Sequence, residues 1–232
     1  MKITLIHGQN HKGSTYHIAR MAADAIRGDG EIEEFFLPRD SGAACCGCYA
    51  CMDRGMAFCP HAAQIGPIFR SMLSADVIVV GSPTYVLEMT GQLKSFFDHL
   101  FSAWLSHSPE AAMFTKTAVV VSTAAGMGMN GVAKSLAKQL FYLGVPKVHQ
   151  LPARVAATSW ETVNEKTKGK IASKVNKIAR SIAAKNGKAS PGLRLKLMFS
   201  MMRQMQKKND WAPLDKKHWE DMAWLGKARP WK

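Results

Sequence analysis

The stretch ADVIVVGSPTYVLEMTGQLKSFFD, residues 75–98, decides the fold. Val77 to Val80 form an unbroken β-branched run, which suits a strand covered on both faces better than one with a wet side. Gly81, Ser82 and Pro83 then break the run. From Gly91 the apolar positions take up helical spacing, giving one strand–loop–helix unit.

The same grammar recurs along the chain. Ile3–Ile6 and Ala118–Val121 are further apolar strands, each followed by a glycine- or serine-rich turn and a helical pattern. Glu31–Leu37 is a weaker alternating strand, and Lys147–Leu151 reads as the last. Helices are expected at about 14–27, 62–73, 91–106, 129–143 and 163–184. Strands and helices alternating in this way form an open, doubly wound parallel sheet, an α/β fold.

In such sheets a ligand sits beyond the carboxyl ends of the strands, so the loops after the three strongest strands belong together. The first, HGQNHKGST (7–15), places Ser14 and Thr15 at a helix start, where free backbone N–H groups and the positive helix end attract an anion. Its glycines have the spacing of a nucleotide P-loop, but Ser14 stands where that motif needs lysine. A monophosphate therefore fits better than a triphosphate or pyrophosphate. The second loop offers the flat ring and hydroxyl of Tyr85. The third, VSTAAGMGMNG (121–131), is built of small residues that let backbone polar groups approach a ligand closely. A phosphate loop, an aromatic strand end and a small-residue loop together describe a flavin mononucleotide (FMN) site.

On GQNHKGST, the 75–98 stretch and VSTAAGMG (121–128), the chain resembles the flavodoxin-like NAD(P)H-dependent FMN reductases over about residues 1–160. The resemblance implies five parallel strands in the order 2-1-3-4-5 with FMN at the switch point. It puts Gln9, Asn10, Ser14 and Thr15 around the phosphate. Ser82, Pro83, Thr84, Tyr85 and Val86 would border the isoalloxazine, and Ser122, Thr123, Ala124 and Gly126 its pyrimidine edge or the ribityl chain. It also implies NAD(P)H as co-substrate, a small electron acceptor such as a quinone or flavin, and a homo-oligomer, dimer or tetramer. The flavin carries the chemistry in such enzymes, so no side chain is expected to act as acid or base.

All five cysteines fall in CCGCYACMDRGMAFC, residues 45–59. Cys45, Cys48, Cys51 and Cys59 fit the C-x2-C-x2-C-x4–7-C motif of the iron–sulfur flavoproteins, a subset of the same family, which implies a [4Fe-4S] cluster beside the flavin. Members tend to follow the last cysteine with two aspartates; Ala63 and Gln64 stand there in this chain. Three readings stay open: a cluster, redox-active thiols, and a loop without chemistry. Spacing argues against structural zinc, since no cysteine or histidine pairs show the usual two-pair layout. The histidines at 7, 11 and 17 are read as ordinary surface residues.

The net charge of +14 is concentrated at the C-terminal end, where residues 160–232 hold 18 Lys or Arg against 6 Asp or Glu. After a flavin domain at 1–186, residues 187–232 read as a helical extension. KNGKASPG (185–192) reads as a linker, and 193–210 as a basic helix with Met198, Met201, Met202 and Met205 along one face. That face is expected to pack on the body or on a second subunit. The last 22 residues carry four of the six tryptophans. A solvated basic face or attraction of an acidic cofactor explains the charge, and nucleic acid is not an expected partner. No run is long and apolar enough to span a membrane, and the start MKITLIHG has no secretory pattern, so a cytoplasmic protein is expected.

Overall fold

The computed structural model describes residues 1–232. Its centre is a five-stranded, wholly parallel sheet in the order β2-β1-β3-β4-β5, as the resemblance implies. The strands are β1 (Ile3–His7), β2 (Ile32–Phe36), β3 (Val77–Pro83), β4 (Thr117–Ala124) and β5 (Lys147–Arg154). Every residue of β1 and β3 is buried, which explains why these strands read as continuous apolar runs. His7 pairs with Gly81 and Gly81 with Val121, so β3 and β4 run on past the end of β1, to Pro83 and Ala124.

Helices α1 (Ser14–Arg27), α2 (Ala50–Asp53), α3 (Ala62–Ser74), α4 (Gly91–His99), α5 (Met129–Tyr142) and α6 (Glu165–Ala183) connect or follow the strands. One sheet face packs with α3, α4 and α5 in a core that includes Ile68, Phe96 and Leu136. The other packs with α1 and α6 through Ile18, Ala22, Val175 and Ile182. Gly81 lets α1 lie close to the sheet: a Cβ there would sit 3.3 Å from both Ala19 Cβ and Thr15 Cγ2.

Two departures from the sequence reading have local causes. Helix α4 stops at His99 rather than near Ser106, because the chain turns through a short 3-10 segment at Phe101–Ala103 and Leu105 N–H donates to the Tyr142 carbonyl at the end of α5. Tertiary docking overrides helix propensity here. Next, α7 (Leu193–Lys207) buries Leu195, Phe199, Met202 and Gln206. Of the expected methionine face only Met202 is buried, and Met201 and Met205 are about half exposed.

The reason for that rotation is aromatic. Phe199 stacks on Trp219 of α8 (Pro213–Asp221) with ring centroids 4.8 Å apart and meets Phe114 edge-on. Rings of this size bury more apolar area than thioethers, so they set the inward face. Phe114, Phe199, Trp219 and Trp224 form a third core joining the extension to the body. Beneath it, Asp215 accepts bonds from Ser108 Oγ (2.9 Å) and His107 Nδ1 (2.8 Å), and Trp219 Nε1 donates to the His107 carbonyl (2.6 Å). The stretch at 185–192 is pinned too: Ala189 N–H donates to Thr115 O at 2.8 Å.

Candidate functional site

The carboxyl ends of β1, β3 and β4 carry the three loops singled out above, and hydrogen bonds lock them together. Gly8 N–H donates to the Gly81 carbonyl at 2.7 Å, and Thr90 Oγ1 returns a bond to the Gly8 carbonyl at 2.6 Å. Thr84 N–H donates to the Thr123 carbonyl at 2.8 Å. Thr15 and Thr123, on the first and third loops, share a hydroxyl–hydroxyl bond of 2.6 Å. Across the opening, the Tyr85 hydroxyl donates to Gln9 Oε1 at 2.6 Å, and Gln9 Nε2 donates to His11 Nε2 at 3.0 Å.

At the floor of the first loop, α1 begins after Gly13 with no side-chain cap and no acidic residue in its first turn. Its first N–H groups are thus left for an anion. Asn10, His11 and Lys12 are exposed around that helix start, whereas Gln9 is buried.

The second loop closes in a tight turn. Tyr85 and Glu88 exchange backbone bonds of 3.0 Å, and the central residues Val86 and Leu87 have φ of +50° and +65°. Turns of this hand favour Asn-Gly. A β-branched valine at positive φ stores strain of about 1–3 kcal/mol, a cost found mainly at functional sites. Val86 is almost fully exposed, and Leu87 of the same turn and Met127 of the third loop are largely exposed as well, so the lip is apolar. Behind it, Thr84 Oγ1 is buried without a partner. Gly128 (φ +93°) keeps this corner open, since a Cβ would fall 2.8 Å from Thr84 Cγ2.

These features fit FMN: an uncapped helix start for the phosphate, an orphaned hydroxyl for a polar ring edge, and an apolar lip for the ring. Ser82 and Ser122 are fully buried, and their hydroxyls serve the loops instead. Ser82 Oγ donates to the Pro83 carbonyl and accepts from Thr90 N–H, and Ser122 Oγ donates to the Met129 carbonyl. Thr90, Leu87 and Gly128 pack among the same loops, although the sequence reading does not name them. Gly128 and Leu87 reveal themselves only through φ, but Thr90, three residues ahead of Leu93 and directly before Gly91, has the place of a helix cap. His7, under the first loop, is buried; burial pushes its pKa below the ordinary histidine value, with the bond to Glu34 (2.8 Å) opposing that shift.

The five cysteines line a separate cavity of about 340 Å³ between the 43–61 segment and α4. Cys45, Cys46 and Cys48 are exposed, while Cys51 and Cys59 are half-buried, and none forms a disulfide. Burial first, and then neighbouring Cys59, raise the Cys51 thiol above its usual range.

Residues 1–160 match the family described as NADPH-dependent FMN reductase. An iron-sulfur flavoprotein of Methanosarcina thermophila is 34% identical over 100 residues, covering 42% of this chain and 51% of that protein. An FMN-dependent NADH:quinone oxidoreductase of Burkholderia pseudomallei is 30% identical over 125 residues, 51% of this chain and 57% of that one. The chain thus spans little more than half the length of these curated relatives. Among solved structures, an NAD(P)H:quinone oxidoreductase from Methanothermobacter marburgensis superposes with a TM-score of 0.59 at 15% identity, covering 79% of this chain and 97% of that one. An FMN-dependent NADH-azoreductase from Bacillus anthracis, in complex with FMN, gives 0.57 at 13% identity, over 77% and 100%. At such identities the structural likeness speaks for the fold, and the family match over residues 1–160 speaks for descent: the chain belongs to the NADPH-dependent FMN reductase family.

Proposed function

We propose that this protein is an FMN-dependent NAD(P)H oxidoreductase that delivers electrons to a small acceptor such as a quinone or a free flavin. The observation that carries the reading is the meeting of three hydrogen-bonded loops around an uncapped helix start and an unpartnered buried hydroxyl. When bound, FMN supplies hydride acceptance from the nicotinamide and onward delivery of the electrons.

The chain's own residues bind and orient. Backbone N–H groups of Ser14 and Thr15, with the side chains of Gln9, Asn10 and Ser14, hold the phosphate in this reading, and exposed Lys12 adds charge beside it. Pro83, Thr84, Tyr85 and Val86 border the ring, Thr84 Oγ1 meeting a polar edge. Thr123, Ala124 and Gly126 face the ribityl chain or the pyrimidine side, while Ser82 and Ser122 position the two loops. None of these groups is required to move a proton.

The test is reconstitution of the full chain with FMN, followed by anaerobic addition of NADH or NADPH and then a quinone. Bleaching of the flavin bands by the nicotinamide and their return with the quinone is the expected result. A protein that cannot retain FMN, or whose bound FMN is not reduced, overturns the proposal. Self-association belongs to the same reading and is supported by Leu193, Leu197, Met201 and Met205, an exposed stripe at helical spacing on α7. Light scattering of the full chain should give a dimer or tetramer.

An iron–sulfur flavoprotein with a [4Fe-4S] cluster on Cys45, Cys48, Cys51 and Cys59 is the alternative, supported by the common cavity those cysteines line. Two of the four, Cys45 and Cys48, are exposed, and the donors that converge most closely in that cavity are a different set.

A further inference from the structure

Of the residues around the cysteine cavity, three present metal-ligating atoms to one point. Cys59 Sγ, a ring nitrogen of His61 and a ring nitrogen of His99 all lie within 4.8 Å of one another. Cys59 Sγ is 3.7 Å from His99 Nδ1. Around a tetrahedral zinc ion, with bonds of about 2.3 Å to sulfur and 2.0–2.1 Å to nitrogen, a sulfur and a nitrogen ligand stand roughly 3.5 Å apart. The pair is therefore at coordination spacing with hardly any rearrangement.

Orientation is also set. His99 is buried, and its Nε2 is 3.1 Å from the Ala43 carbonyl. A carbonyl only accepts, so Nε2 carries the proton and Nδ1 turns its lone pair toward Cys59. A backbone acceptor fixing the far nitrogen of an imidazole is the usual support of a metal-binding histidine. His61 packs edge-on against His99, ring centroids 4.9 Å apart, and its Nδ1 is buried without a hydrogen-bond partner. A buried ring nitrogen left unbonded is costly, and metal coordination at this imidazole would bring the ring into a bonded set. Trp104, lining the same cavity, likewise keeps an unpartnered buried Nε1–H.

We infer that Cys59, His61 and His99 form a binding site for a zinc-type divalent ion, with a fourth position open to the cavity. One thiolate with two imidazoles suits zinc and its cobalt substitute, whereas a [4Fe-4S] cluster is usually held by four thiolates. The reading does not depend on the flavin assignment, and it competes with the cluster because both need Cys59. Sequence spacing argues against zinc only within the cysteine segment; the fold supplies His99 from forty residues away.

The experiment uses the reduced, chelator-treated full chain, titrated anaerobically with Co²⁺ and then Zn²⁺. Expected is a saturable one-to-one rise of thiolate-to-cobalt charge-transfer absorption with tetrahedral d–d bands, displaced by Zn²⁺. Cys59→Ser, His61→Ala and His99→Ala should each weaken cobalt binding at least tenfold, while Cys45→Ser and Cys48→Ser retain it. Far-UV circular dichroism of the metal-free variants checks folding. Should His99→Ala fail to fold, the less buried His61→Ala and His99→Gln decide. Absence of one-to-one binding overturns the inference. So does loss of binding in Cys45→Ser and Cys48→Ser with retention in the histidine variants, or four iron and four sulfide per chain in anaerobically isolated protein.

Discussion

The Tyr85 hydroxyl donates a 2.6 Å hydrogen bond to Gln9 Oε1, tying the loop after β3 to the loop after β1 across the mouth of the proposed flavin site. Seventy-six residues of chain separate them, yet each sits on the first turn beyond its strand. Gln9 in turn reaches His11, so the bond orders the segment that leads to the start of α1. Tyr85→Phe keeps the ring and removes only the donor. A net hydrogen bond contributes about 0.5–1.5 kcal/mol, so FMN affinity should fall roughly two- to tenfold, measured by flavin fluorescence titration. Unchanged affinity would mean the bond does not preorganise the site.

Gly128 occupies φ +93° with no room for a methyl group against Thr84 and Leu87. Gly128→Ala combines backbone strain of about 1–3 kcal/mol with displacement of the lip. The variant should still fold, as the position lies outside the sheet at the very start of α5, but bind FMN at least tenfold more weakly. Thermal melts with and without FMN separate the two effects: the ligand-induced rise in Tm should shrink far more than the apo Tm.

His7 gives the fold a pH dependence. Its pKa is lowered in the folded state, first by burial, so protonation favours the unfolded chain. Stability from this group is complete above the ordinary value of 6.5 and falls as pH drops below it toward the folded pKa. His149, also lowered by burial and by Lys147 and Lys185, acts in the same direction. Urea midpoints should therefore decline from neutral pH into the acid side of 6.5, with a shallower decline in His7→Gln.

Trp219 anchors the extension through complete burial, its stack on Phe199 and its bond to the His107 carbonyl. Trp219→Ala should cost about 3–5 kcal/mol in the third core. Tryptophan fluorescence and proteolysis should report loosening of residues 193–232 at lower temperature than loss of far-UV signal from the sheet.

The sheet was legible because parallel strands covered on both faces leave an unmistakable pattern, as in Val77–Val80 and Val119–Val121. Strand order came from resemblance, since periodicity carries no information on which strands are neighbours. The three loops were legible as a group through their shared position after strands. Their internal bonds were not: the Ser82 hydroxyl, read in sequence only as a border to the ring, also joins the Pro83 carbonyl to Thr90 N–H. The end of α4 and the inward face of α7 were misjudged because Tyr142 and Trp219, which settle them, lie far along the chain. His99 escaped notice for the same reason, with nothing in FFDH to distinguish it from a core histidine.

Helix α4 also has two ends with different company. Its cap, Thr90, is bonded to the Gly8 carbonyl beneath the flavin loops, and its last residue, His99, is bonded to the Ala43 carbonyl beside the cysteines. Nine helical residues make a rod of roughly 12 Å between them. The thiol segment and the loops proposed for the flavin are thus braced against opposite ends of one short helix.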